Sequence, residues 1–172
     1  AEAWGADVVQ LADNVGLPTR PARIRRETGV RGLAWDPIAR AAEAADADWV
    51  RLVIDSPGDE PSPAEATDRV GELNRRLGSK RLAIENHDRF PARVLREIAR
   101  DSGSLVVLDT ANSLGSLEGT ETVASVLGDL VVCLHVKDVR PRRVPSQMGF
   151  TIDGTAAGEG TVDWPRVFSH LT

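Results

Sequence analysis

Cysteine occurs once in the 172 residues, at Cys133, so no intramolecular disulfide can form and the fold rests on its packed core. In the apolar run LVVCLHV that thiol is expected to be buried and reduced, which points to a reducing cytoplasm. Long hydrophobic runs are missing as well. Apolar stretches stop at about six or seven residues, where a membrane helix needs roughly 20, and the N-terminus carries no basic, apolar, small-residue export pattern. Neither a membrane nor export is expected. Lysine is confined to Lys80 and Lys137, no basic stretch is interleaved with aromatics, and the formal net charge is −5, so nucleic acid is not an expected partner. Linkers and low-complexity tracts are absent. What is present is 41% hydrophobic and 27% charged, the balance of one soluble globular domain over residues 1–172, with nothing that opposes a homo-oligomer.

Short β-rich runs recur along the chain: ADVVQLA (6–12), TGVRGLA (28–34), DWVRLVID (48–55), KRLAIE (80–85), SLVVLD (104–109) and DLVVCLHV (129–136). Their near-continuous Val, Leu and Ile content, without strict polar alternation, suits strands covered on both faces, as in a parallel sheet. The segments between them read as helices. DPIARAAEAADA begins with Asp36 as N-cap and Pro37 in the first turn. In SPAEATDRVGELNRRLGS, Ser62 and Glu65 have capping-box spacing and Gly78 ends the helix. FPARVLREIARDSG has Pro91 near its start, aligns Val94, Leu95 and Ile98 on one stripe, and closes at Gly103. This β/α alternation, with right-handed crossovers, predicts either a barrel or a doubly wound sheet. The connection near residues 13–28 holds Pro18 and Pro21 and is tight for a crossover helix, so that unit is expected to be abbreviated or partly missing. The opening AEAWGAD and closing WPRVFSHLT both read as helices without their flanking strand, as if the sequence were cut at each end.

The strands end in polar residues: Asp13 and Asn14, Asp55, Glu85 and His87, Asp109 and Asn112, His135 and Asp138. In a parallel β/α sheet those C-terminal ends share one rim, where ligands bind. Glu85, Asp109 and His135 come from three successive strands, and carboxylate oxygen with imidazole nitrogen suits a divalent ion such as Mn²⁺, Mg²⁺ or Co²⁺, with Zn²⁺ also accommodated. Each has a plainer reading. A strand-terminal acid such as Asp109 also serves as the cap of the next helix, and a histidine inside an apolar run, like His135, also serves as a satisfied core residue. Asp13 and Asp55 are assigned to capping and turns.

At these residues the sequence resembles the xylose-isomerase-like TIM-barrel superfamily, the sugar isomerases and epimerases that use one divalent ion. The motifs LAIENHDRFP, LVVLDTANSLG, LHVKDV and AAGEGTVDW follow one another in the family's order from about residue 48 onward. The resemblance implies a (β/α)₈ TIM barrel, incomplete here because its first and last strands are not evident. It makes Glu85, Asp109 and His135 metal ligands, with a fourth, a last-strand glutamate, expected beyond Thr172. The implied activity is isomerisation or epimerisation of a keto sugar or sugar derivative: loss of the α-proton, with Glu85 as ligand and catalytic acid/base, gives an enediolate that the ion stabilises. The same scaffold also supports a lyase or dehydratase acting on an inosose or a dehydroshikimate-type acid, and a truncated relative without turnover. Asn112 stands where many relatives have a substrate-binding histidine. Arg143, in the basic segment after His135 with Arg140 and Arg142, is the candidate for a substrate hydroxyl or phosphate, against a solvated basic loop. His87 is a further candidate substrate contact, while Lys137 and Asp138 are expected to supply supporting hydrogen bonds. An endonuclease-IV-like branch needs several zinc ions and many histidines, and His87, His135 and His170 are too few.

Overall fold

The computed structural model describes residues 8–10, 25–44, 46–78, 81–145 and 148–171. All six expected strands are present: β1 (Val8–Gln10), β2 (Arg25–Arg31), β3 (Trp49–Val53), β4 (Arg81–Glu85), β5 (Leu105–Asp109) and β6 (Val131–His135), hydrogen-bonded in chain order. The crossovers carry α1 (Trp35–Ala44), α2 (Pro63–Leu77), α3 (Ala92–Ser102) and α4 (Thr120–Leu127). The tight connection expected to be abbreviated, together with Asp13, lies outside the described residues apart from the start of β2.

The chain divides into two compact units, residues 1–85 with 97–106, and residues 86–96 with 107–172. In the first, β1 to β4 pair in parallel, with Glu27 opposite Trp49, Gly29 opposite Arg51, and Arg51 opposite Ala83. Its strands bury Val50, Leu52, Leu82 and Ile84 completely, while Ile38 of α1 and Val70 of α2 are equally inaccessible, the result of apolar helix stripes laid on a sheet. The expected capping box is present: Glu65 N donates to Ser62 Oγ and Ser62 N donates to the Glu65 carboxylate at 2.8 Å, with Pro63 in the first turn. The start of α1 differs. The helix begins at Trp35, so Asp36 sits in its first turn rather than capping it; an acid there still favours the positive end of the helix dipole.

The second unit holds the end of β5, α4, β6, α5 (Trp164–Ser169) and an unexpected antiparallel hairpin, β7 (Asp138–Arg143) with β8 (Phe150–Thr155). Leu108, Val123, Leu127 and Val167 form its core. Strand β6 departs from the expectation of cover on both faces: all five residues, Cys133 included, are half-buried. It is the edge of the sheet, with no strand of the described residues on its outer side. The hairpin replaces the loop expected to carry the arginines. Arg142 pairs with Asp153, and the Arg143 guanidinium lies 4.8 Å from the Phe150 ring centre across the hairpin.

Among the described residues, no helix is long and apolar enough to cross a membrane.

Candidate functional site

In the second unit, Asp109 ends β5 and His135 ends β6. Asn86 fixes the strand end: its side-chain oxygen accepts from Asp109 N at 2.6 Å and its amide donates to Asp109 O at 2.8 Å and to Ser113 Oγ at 2.7 Å. A buried amide that satisfies both main-chain groups of one residue acts as one more rung of the sheet. Asp109 then divides its two oxygens. Oδ1 accepts from the backbone of Ala111 at 2.9 Å and Asn112 at 3.0 Å, closing the turn after the strand. Oδ2 is buried, accepts no hydrogen bond among the described residues, and lies 2.6 Å from Lys137 Nζ and 3.8 Å from His135 Nδ1. The capping role and the ligand role weighed from the sequence therefore fall on different oxygens of one carboxylate.

Thr110 clamps the other side. Its Oγ1 accepts from Lys137 N at 2.8 Å and lies 2.6 Å from Lys137 O, and its backbone N–H donates to His135 O at 3.2 Å. The main chain through His135 and Lys137 is thus fixed against the end of β5.

These residues fit a cation. Two ligand atoms each about 2.1 Å from one ion lie no more than about 4.2 Å apart, and the Asp109 Oδ2 to His135 Nδ1 separation of 3.8 Å is inside that limit while being too long for a hydrogen bond. A buried carboxylate oxygen that accepts no hydrogen bond needs a cation beside it, and here that place is held by the Lys137 ammonium.

Glu85 belongs to the first unit, where it ends β4 and is 6% exposed. Arg51 Nη1 reaches its Oε2 at 2.5 Å, and Arg51 Nε lies 3.5 Å from Oε1 of Glu27. Glu27 is wholly buried and accepts from Trp49 Nε1 at 2.9 Å. The guanidinium fits because its neighbours in register, Gly29 and Ala83, are small: a Cβ at Gly29 would collide with it. Glu27 and Arg51 were missed in the sequence. Their partners lie 22 to 34 residues away; Arg51 alone gave a signal, as a charged residue between apolar neighbours in its strand, whereas Glu27 lies among charged and polar ones.

The remaining candidates sit as follows. The Asn112 side chain donates to Asn86 O at 3.2 Å, so part of its capacity serves the fold. His87 Nδ1 contacts the neighbouring Asp88 carboxylate. Arg143 is exposed at the end of β7 and packs on Phe150. Asp138, 2% exposed, is the supporting residue the sequence suggested: its carboxylate accepts from the backbone of Val139, Gly158, Gly160 and Val162, at 2.8 to 3.2 Å, and from Trp164 Nε1 at 3.3 Å. Burial alone would raise its pKa, but those backbone donors outweigh it and hold the carboxyl at about 2.

Parallel β/α units with a carboxylate or imidazole as the last residue of successive strands define a β/α enzyme scaffold. The 3-oxo-isoapionate decarboxylase of Pectobacterium atrosepticum is 30% identical over 193 aligned positions, which take in 97% of this chain and 68% of that enzyme. Among solved structures, the xylose isomerase domain protein from Planctomyces limnophilus is similar with a TM-score of 0.63 and 17% identity, over 87% of this chain and 65% of that one. The IolI protein with a bound zinc atom gives 0.60 and 15%, over 87% and 63%. No family model matches the chain. The chain belongs to the xylose-isomerase-like TIM-barrel superfamily, its β/α units forming the incomplete (β/α)₈ barrel that the sequence motifs implied, and it spans about two thirds of the length of these relatives.

Proposed function

We propose that this chain provides the metal-binding part of a divalent-metal-dependent enzyme that turns a keto sugar or sugar-derived keto acid into its enediolate or enolate. The reading is carried by the buried Asp109 Oδ2 that accepts no hydrogen bond and has an imidazole 3.8 Å away, in a chain of this superfamily. Glu85, Asp109 and His135 are the proposed ligands. Mn²⁺, Mg²⁺ and Co²⁺ suit the oxygen-rich set, and Zn²⁺ is supported by the zinc atom in the IolI structure. When bound, such an ion supplies Lewis-acid stabilisation to an oxyanion beside the substrate carbonyl.

The chain's own residues do the rest. Glu85, braced by Arg51, handles the proton at the substrate α-carbon, a role worth about 10²- to 10⁴-fold in general acid–base catalysis. The Asn112 amide, the His87 imidazole and the Arg143 guanidinium are the proposed contacts to substrate hydroxyl or phosphate oxygens. The partner is a small molecule, and the setting proposed for the single-thiol chain is the cytoplasm.

Three reactions share this chemistry. Isomerisation or epimerisation removes an α-proton and returns one at a different position or face. Decarboxylation breaks the bond to an α-carboxylate, sends the electron pair toward the carbonyl, releases CO₂ and needs a proton at the vacated carbon. The decarboxylase among the relatives favours the second for this chain; loss of a β-hydroxyl, as in an inosose or dehydroshikimate dehydratase, is the third outcome to distinguish. Incubation with Mn²⁺ and a panel of keto sugars, 3-oxo sugar acids and inososes separates them: CO₂ release, a new stereoisomer and an α,β-unsaturated product are the respective signatures. No metal-dependent product from any of the three classes would overturn the reading.

A further inference from the structure

We infer that Lys137 is a built-in counter-cation of the proposed metal site, holding Asp109 Oδ2 until a divalent ion replaces it, and that this exchange sets the metal affinity. The inference rests on the metal reading above and adds a residue to it. Lys137 Nζ is 2.6 Å from Asp109 Oδ2, the oxygen that also lies 3.8 Å from His135 Nδ1. The ammonium therefore contacts the oxygen that an ion shared with His135 would take.

The two partners differ in their freedom to move. The Asp109 side chain is 0% exposed and the Lys137 side chain 53% exposed. Asp109 is immobilised through Asn86 and through its own Oδ1, and the Lys137 main chain is fixed by Thr110 at both N–H and C=O. What remains mobile is the four-carbon stem of the lysine, which can swing its head into water without disturbing the backbone. The contact is also loosely directed: although Nζ is close, Oδ2 accepts no hydrogen bond of acceptable angle among the described residues. A point charge held by proximity is replaced more readily than a forked, bidentate partner.

The energetic argument follows from linkage. Without an ion, Lys137 neutralises a buried carboxylate whose isolation would be costly. With an ion, like charges crowd one oxygen and the ammonium is expelled. Metal affinity is then the intrinsic affinity of the ligands reduced by the loss of the lysine contact. Removing the lysine charge strips stability from the metal-free protein and tightens metal binding, two effects with one cause.

The test is calorimetric titration of metal-free chain with Mn²⁺, using wild type, Lys137→Met, Lys137→Gln and Lys137→Arg, alongside thermal melts with and without Mn²⁺. Loss of one partly exposed charge-assisted contact predicts Mn²⁺ binding about tenfold tighter in K137M and K137Q. The metal-free melting temperature should fall in both variants, whereas K137R, which keeps the charge and offers a fork, should keep the wild-type melting temperature and bind Mn²⁺ no more tightly than wild type. If K137M does not fold, K137Q carries the same expectation. Mn²⁺ uptake by wild type, with unchanged or weaker uptake by the neutral variants, overturns the inference and leaves the metal reading standing. No uptake by wild type or any variant overturns both.

Discussion

At the residue scale, the site is built by side chains that serve two masters. Asp109 gives one oxygen to its own turn and the other to His135 and Lys137. Asn86, which follows Glu85 at the end of β4, makes three buried side-chain hydrogen bonds that fix the strand carrying Asp109. Asn86→Ala leaves the Asp109 main chain and Ser113 without those partners inside the protein. Unfolding in denaturant should show a loss of about 3 kcal/mol, with weaker Mn²⁺ binding in the folded fraction. At this scale the placement of Asp109 and His135 at strand ends was readable, because an acid or imidazole at the end of an apolar run stands out. Glu27 was not: a wholly buried carboxylate inside the charged RRET segment makes sense only once Trp49 and Arg51 are seen to meet it.

At the element scale, the strands and their helices follow from apolar runs and caps, which are local signals, and all six expected strands are present. The β7/β8 hairpin was invisible for a local reason. Its first strand, DVRPRR, has a proline and three arginines where alternation would be expected, and that is tolerated because a two-stranded hairpin is all edge. Its anchor is Asp138, whose carboxylate gathers the backbone of Val139 and of residues 158–162. A Cβ at Gly160 would collide with that carboxylate, so glycine is required for the close approach. Because the folded carboxyl is held at about 2, below the ordinary aspartate value of 3.8, its contribution to stability is complete above about pH 5 and is lost as the pH falls from about 4 toward 2. Asp138→Asn should remove that acid-sensitive part, costing about 2 kcal/mol at neutral pH and flattening the fall in stability between pH 4 and 2. Urea midpoints measured across that range, wild type against variant, check the sign: parallel curves would contradict it.

At the scale of the whole molecule, four short motifs in one order identified the superfamily, and the 30% identical decarboxylase together with two barrel structures agrees with it. Fold class is readable from so little because β/α alternation repeats along the chain and each repeat adds its own evidence. The reaction is less readable. Isomerase, dehydratase and decarboxylase differ in what leaves the α- or β-carbon, which depends on substrate contacts rather than on the strand pattern. The central claim is that Glu85, Asp109 and His135 bind one divalent ion together. It is tested most directly by titrating metal-free wild type, Glu85→Gln, Asp109→Asn and His135→Ala with Mn²⁺, with far-UV circular dichroism to verify the fold. One ion per chain in wild type, and at least about 100-fold weaker binding in each folded variant, is the expected result; stoichiometric Mn²⁺ retained by the three variants would contradict the account.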